Sequence, residues 1–188
     1  MNLHRRLSQA ISEGDGISVI PIVADGDGAR AAEEAGAEAI AVERHAAGVR
    51  EATSLPVLSL EPDPLDADAA LLVVGDLDEE LESRQLELQS RGLECVVDVR
   101  TEEELEFALE RIEPEIFLIS PRAADDEDDP LERVLELLPD VPAGKLAIAE
   151  LRAADRRTVV ALERAGFDAV LVGGANVAEL VGAEPPPV

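Results

Sequence analysis

Lysine is almost absent from this chain: Lys145 stands alone among 188 residues. Against 42 acidic residues the chain sets only 15 arginines and that lysine, for a formal net charge of −26. Phosphate backbones attract clustered Lys and Arg, so the balance excludes a nucleic-acid partner. It equally argues against anionic membrane surfaces. Tryptophan and tyrosine are missing, and Phe107, Phe117 and Phe167 are the only aromatics, which removes base-stacking platforms. The single cysteine, Cys95, rules out an internal disulfide and fits a reducing cytosol, so a cytoplasmic location is expected. Its setting in Cys95-Val96-Val97 reads as a buried, inert thiol. His4 and His45 are too far apart, and too few, for a zinc-ligand spacing; no metal or other cofactor is expected. Arg5 and Arg6 near the start are followed by no long apolar stretch, so no signal peptide is read there. Nor does any apolar run approach the ~18 residues of a membrane-spanning helix.

Apolar residues nevertheless make up 46% of the chain, enough for a packed core built mostly of Ala, Val, Leu and Ile. The length suits one domain over 1–188, with 1–15 as a lead-in and 183–188 as a flexible, proline-rich tail. The acidity has two readings. One is a GC-rich coding preference for Arg over Lys, with solubility from net charge. The other is a salt-rich cytoplasm that screens self-repulsion.

A theme recurs along the chain: a helix end, Ala-Gly, an acidic residue, then a short apolar run. Ala35-Gly36-Ala37-Glu38-Ala39-Ile40-Ala41-Val42 is one copy, and Ala165-Gly166-Phe167-Asp168-Ala169-Val170-Leu171-Val172 is another. The Gly suits a left-handed helix C-terminus, and the run suits a strand buried on both faces of a parallel sheet. Eight strands are predicted: 17–24, 38–43, 56–60, 69–75, 94–99, 115–120, 145–150 and 168–173. Helices are predicted over 28–35, 78–91, 102–111, 131–138 and 155–165. Thr101-Glu102-Glu103-Glu104 has capping-box spacing. Only 61–68, with two prolines, separates the third and fourth strands, so no helix fits there. The alternation predicts an α/β fold: a compact (βα)8 TIM barrel, shortened against the ~250 residues typical of that fold and lacking the helix between strands 3 and 4.

Other features carry less. Pro21 is awkward inside the first strand, because it cannot donate a ladder hydrogen bond. Gly26-Asp27-Gly28-Ala29-Arg30-Ala31 matches a dinucleotide-binding spacing, but Asp25 and Asp27 would face the pyrophosphate, and a tight turn accounts for it better. The acidic run 125–129 reads as a solvated loop.

Several stretches together resemble indole-3-glycerol phosphate synthase, a (βα)8 enzyme of tryptophan biosynthesis. They are Ile17-Ser18-Val19-Ile20, Ser54-Leu55-Pro56-Val57-Leu58, Val97-Asp98-Val99 with Thr101-Glu102-Glu103-Glu104-Leu105, and the segment 149–176. The resemblance implies a lyase that closes a ring on a carboxyphenylamino-deoxyribulose phosphate with loss of carbon dioxide and water. It implies a lysine general acid, carboxylates that handle protons, and a phosphate cradle in the last two βα loops. The residues match unevenly. The strand-three lysine falls on Leu60, and the strand-one glutamate and lysine on Ile22 and Ala24. The strand-five glutamate becomes Asp98, and the strand-six asparagine Ser120, with Arg122 kept. Glu150 is kept, but the next two residues become Leu151 and Arg152. Gly173 and Gly174 keep the small residues of the phosphate loop. A leucine has no proton to give, and an arginine holds its own too tightly to stand in.

Sites of this fold sit at the C-terminal ends of the strands. There the chain sets Asp98 with Arg100, Ser120 with Arg122, and Glu150 with Arg152, each pair on one side of its strand. Arginine forks match phosphate and carboxylate in two-pronged fashion. The expectation is an anion site of Arg122, Arg152, Gly173 and Gly174, with Arg100 nearby, for a small phosphorylated or anionic metabolite. The competing reading is that these arginines only neutralise Asp98, Glu150 and their neighbours. On either, the departures at Leu60, Ile22 and Ala24 predict a catalytically impaired relative of the synthase. Alternatives are an active lyase in which Asp98 and Glu150 serve a changed reaction, and a non-catalytic scaffold whose protein partner is unknown.

Overall fold

A computed structural model describes residues 6–44, 46–61, 63–77, 80–121, 129–174 and 177–181. Eight parallel strands close on one another in chain order. They are β1 (Ser18–Ile22), β2 (Ile40–Val42), β3 (Val57–Ser59), β4 (Ala69–Val73), β5 (Glu94–Val99), β6 (Ile116–Ile119), β7 (Leu146–Leu151) and β8 (Ala169–Gly173). The helices are α1 (Arg6–Glu13), α2 (Gly26–Glu34), α3 (Val49–Ala52), α4 (Val74–Leu77), α5 (Leu81–Ser90), α6 (Glu102–Arg111), α7 (Pro130–Leu137), α8 (Arg156–Ala165) and α9 (Val177–Val181). All eight predicted strands and all five predicted helices are present. The fourth strand is shorter than expected, because Val74 already begins α4. No helix among the described residues is long and apolar enough to cross a membrane.

Alternation sorts the strand side chains into two cores. Ile20, Ala41, Leu58, Leu71, Val96, Leu118, Ile148 and Leu171 fill the barrel interior. Val19, Val42, Val57, Leu72, Val97, Phe117, Ala149 and Val170 face outward and pack under the helices. Both faces of each strand are therefore apolar, the pattern of a parallel sheet covered by helices. Helix ends follow the predicted chemistry. Gly36 and Gly166 take the left-handed conformation, at φ +92° and +108°. Asp25, Thr101, Asp129 and Asp155 each accept a hydrogen bond from an amide two or three residues on.

Pro21 is tolerated at a cost to one seam. The Val23 amide donates to the Ala41 carbonyl, so alternate amides of β1 face β2, and Pro21 is the one with no N–H. The β1–β2 seam is correspondingly narrow, registered at Ile22 with Ala41, whereas β1 and β8 pair over five positions.

Between β3 and β4 the described residues form no helix, and side chains close the gap instead. Arg50 holds Asp68 at 2.6 Å and donates to the Leu55 carbonyl at 2.7 Å. The same Asp68 carboxylate accepts from the Val57 amide at 2.9 Å. From the far side Arg91 reaches Asp63 at 2.8 Å and the Pro64 carbonyl at 2.6 Å. Two arginines thus stitch a loop across strands that a helix would ordinarily cover.

The lead-in contains α1, which lies at the end of the barrel opposite the strand C-termini. Leu7 and Ile11, one helical turn apart, are buried against the interior core. Glu94, at the first position of β5, receives the start of the helix. It accepts from the Leu7 amide at 2.7 Å, the Ser8 amide at 3.3 Å, and the Ser8 hydroxyl. A carboxylate at a helix N-terminus meets both the unpaired amides and the positive end of the dipole. Residues 1–5 and the tail 183–188 lie outside the described residues.

Candidate active site

The strand C-termini form a mouth divided by chemistry. On the β1, β3 and β4 side the interior ends in Ile22, Leu60 and Val73, partly buried and packed on the inner core. On the β5, β6 and β7 side it ends in Asp98, Ser120 and Glu150, which are 0, 2 and 2% exposed. Each of these three continues the inward row of its strand: Val96 below Asp98, Leu118 below Ser120, Ile148 below Glu150.

Arg100 lies two residues beyond Asp98. Its guanidinium approaches the Asp98 carboxylate at 3.6 Å, an ion pair rather than a hydrogen bond. The Arg100 amide donates to Glu104 at 2.7 Å, while the Thr101 hydroxyl accepts from the Glu104 amide at 3.2 Å. The predicted capping box is therefore offset: the glutamate reaches back to the residue before the cap. This fixes the backbone from which Arg100 projects. The Nε of Arg100 and the hydroxyl of Ser120 are both buried, with no hydrogen-bond partner among the described residues.

Arg152 sits between two carboxylates. Its Nε donates to Glu150 at 3.0 Å, and a terminal nitrogen binds Glu43, at the end of β2. Glu43 first, and Glu150 behind it, strengthen the hold of the guanidinium on its proton, while partial burial works the other way. Glu43 and Arg152 are about half exposed, at 50% and 53%, whereas Glu150 is buried. In barrel order β8 and β1 lie between β7 and β2, so this ion pair bridges the mouth on that side. Gly173, on β8, makes room below it. A Cβ there would stand 2.9 Å from the Arg152 carbonyl, which also accepts from the Gly173 amide at 3.1 Å. Gly174 follows with a φ of +40° and open space around it.

Asp98, Arg100, Glu150, Arg152, Gly173 and Gly174 thus all lie at one end of the barrel. Arg122 and His45 lie outside the described residues. Two further participants are only partly legible in the sequence. Glu104 carried a signal, its capping spacing, but not its tie to Arg100. Glu43 carried a weaker one, its place at a strand end, and no spacing links it to a residue 109 positions away. Beside Glu43 a depression lined by Ile22, Val23, Ala24, Arg44 and Ala46 opens into the mouth.

Lys145 precedes β7 and so lies at the opposite end of the barrel from these groups. Cys95 is not part of the mouth either. Burial, with the negative charge of Glu94 beside it, pushes its thiol up to about 11. The thiolate is the reactive form, so at pH 8 native protein is expected to react with a maleimide or disulfide reagent at least about tenfold more slowly than unfolded protein. Equal rates in the two states would refute the inert-thiol reading.

Comparison with known proteins gives a consistent set of relatives. A family model described as "Indole-3-glycerol phosphate synthase" matches residues 60–179. The indole-3-glycerol phosphate synthase of Geobacillus thermodenitrificans is 35% identical over 166 residues, covering 77% of this chain and 64% of the relative. That of Acidithiobacillus ferrooxidans is 36% identical over 140 residues, covering 69% and 53%. The chain therefore spans less than two thirds of the length of these relatives. Among solved structures, the N-acetylmannosamine-6-phosphate 2-epimerase of Clostridium perfringens superposes with a TM-score of 0.74. It is 16% identical, with 95% of this chain and 93% of that one covered, a likeness of fold alone.

Proposed function

The chain belongs to the indole-3-glycerol phosphate synthase family, and from that premise we propose a barrel that has lost the synthase reaction and keeps a mouth for a small phosphorylated or anionic metabolite. The loss of reaction rests on the side of the mouth built by β1 and β3. Its residues are Ile22, Ala24 and Leu60, where the resemblance implies a glutamate and two lysines. The reaction calls for a group that gives a proton to a departing oxygen near neutral pH. Ile22 and Leu60 are hydrocarbon, Arg100 and Arg152 do not release a proton, and the one lysine is at the far end of the barrel.

One observation carries the binding half of the proposal. The Arg100 Nε and the Ser120 hydroxyl, each able to donate, are buried at the mouth beside Asp98 and Glu150 and have no hydrogen-bond partner among the described residues. A buried donor left unmet costs about 1–3 kcal/mol, so such donors are ordinarily met by a ligand or by water. Donors ask for an acceptor, and anionic oxygen is the strongest one. Arg152 adds a guanidinium at the end of β7, and on the neighbouring β8 side Gly174 has open space around it. Arg122, from the sequence reading, belongs to the same proposed set.

A second reading is a working lyase in which Asp98 and Glu150 move protons. It is favoured by the burial of both carboxylates on the inward rows. Each already engages an arginine, which suits them better to holding the mouth together than to exchanging protons with a substrate.

Purified protein is expected to show no turnover of the carboxyphenylamino-deoxyribulose phosphate and not to rescue a tryptophan auxotroph. Inorganic phosphate is expected to bind with a dissociation constant in the range of about 1 mM, an affinity of about 4 kcal/mol. Measurable indole-3-glycerol phosphate formation would overturn the loss of reaction. A calorimetric or NMR titration flat to tens of millimolar phosphate would overturn the binding site.

A further inference from the structure

The Glu43–Arg152 pair joins strand ends 109 residues apart and stands across the β8–β1 side of the mouth. It is asymmetric. Arg152 is anchored through Nε to Glu150, a carboxylate that is 2% exposed and fixed by the row it continues. Glu43 is about half exposed and holds a terminal nitrogen of the guanidinium. With both carboxylates in place, the Arg152 guanidinium is engaged on two sides. An incoming anion would meet repulsion and an occupied fork.

From this geometry we propose that Glu43 is an intramolecular competitor for the Arg152 anion seat and sets its selectivity for dianions. The proposal rests on the anion-binding reading given above. To bind, a ligand oxygen takes the terminal nitrogens of Arg152 while the Glu43 carboxylate swings into water. Glu150 stays on Nε and keeps the guanidinium aimed. A monocarboxylate merely exchanges one carboxylate for another and gains nothing. A tetrahedral dianion brings a second charge and further oxygens, for which the open space at Gly174 leaves room. Exposed ion pairs are weak, so displacing Glu43 is affordable at millimolar ligand.

The test is a titration of the full chain with sodium phosphate and, separately, with sodium acetate at constant ionic strength, by calorimetry or amide NMR. Glu43→Gln keeps shape and hydrogen bonding but removes the competing charge. It is expected to bind phosphate about five- to tenfold more tightly than wild type, as loss of an exposed pair and of local repulsion implies. It is also expected to bind acetate detectably, which wild type does not. Arg152→Ala is expected to bind neither. Arg152→Lys, which leaves Glu150 a cationic partner if the alanine variant unfolds, is expected to bind phosphate more weakly than wild type. Equal phosphate affinity in wild type and Glu43→Gln would overturn the competitor and leave the anion site standing. Undiminished binding in Arg152→Lys and Arg152→Ala would overturn the Arg152 seat and its competitor while leaving the Arg100 and Ser120 donors as the site; no binding in any of the proteins would overturn the site and the competitor together.

Discussion

Replacing Asp98 by alanine is expected to destabilise the barrel by about 3 kcal/mol, the range for removing one partner of a buried ion pair. For a chain of this length that is a fall in Tm of roughly 6–12 °C. Asp98 is fully buried, and Arg100, 3.6 Å away, has a side chain only 20% exposed. Removing the carboxylate leaves a guanidinium whose Nε is already without an acceptor among the described residues. The direction matters more than the size. A carboxylate kept for proton transfer is held against the stability of the fold, so its removal is often neutral or stabilising. One kept to neutralise an arginine is missed when it goes. Thermal and denaturant unfolding of Asp98→Ala and Asp98→Asn therefore tests the lyase reading without needing a substrate. A Tm equal to or above that of wild type in both would favour a catalytic carboxylate.

Glu94→Ala is expected to cost a similar amount, about 3 kcal/mol, from the opposite end of the barrel. Hydrogen bonds to a charged acceptor are worth about 1.5–3 kcal/mol each, and unmet buried donors add to the loss. The substitution strips the acceptor from the Leu7 amide, the Ser8 amide and the Ser8 hydroxyl together. It also loosens the seating of Leu7 and Ile11 on the interior core. The expected signature is local as well as global: amides of α1 exchange much faster, while the mouth still binds phosphate. A loss under about 1 kcal/mol, with α1 protection unchanged, would show that apolar packing alone seats the helix. Unlike Asp98, Glu94 has no part in the mouth, so the pair of variants separates stability of the barrel from occupancy of the site.

Much of the barrel could be read along the chain because its determinants are local. Runs such as Ala69–Val73 and Ala169–Gly173 are apolar at every position, which a strand needs only when both of its faces are covered. Thr101, Asp155, Gly36 and Gly166 mark helix ends by chemistry that acts within a few residues. The helices not singled out had little to show. α3, α4 and α9 span four or five residues, barely more than one turn, so no 3.6-residue period develops. In α1 a signal was present in Leu7 and Ile11, but two apolar residues in a charged lead-in do not reveal that the end of a barrel awaits them.

The sequence by itself determined the eight-stranded alternation, the missing helix after the third strand, and the row of polar residues at the ends of the fifth to seventh strands. It also determined that the only lysine precedes the seventh strand. Only the tertiary structure decided which charges meet. Closing the barrel brings β7 within reach of β2 across β8 and β1, and so puts Glu43 on Arg152. It brings the start of α1 to Glu94, 87 residues further on. The physical reason is range. Propensity, capping and alternation act over a few residues, whereas a salt bridge is set by distance in space, which the chain acquires only when the sheet closes. Arg152 is in the sequence for any reader to see; that a carboxylate already occupies it is a property of the closed barrel.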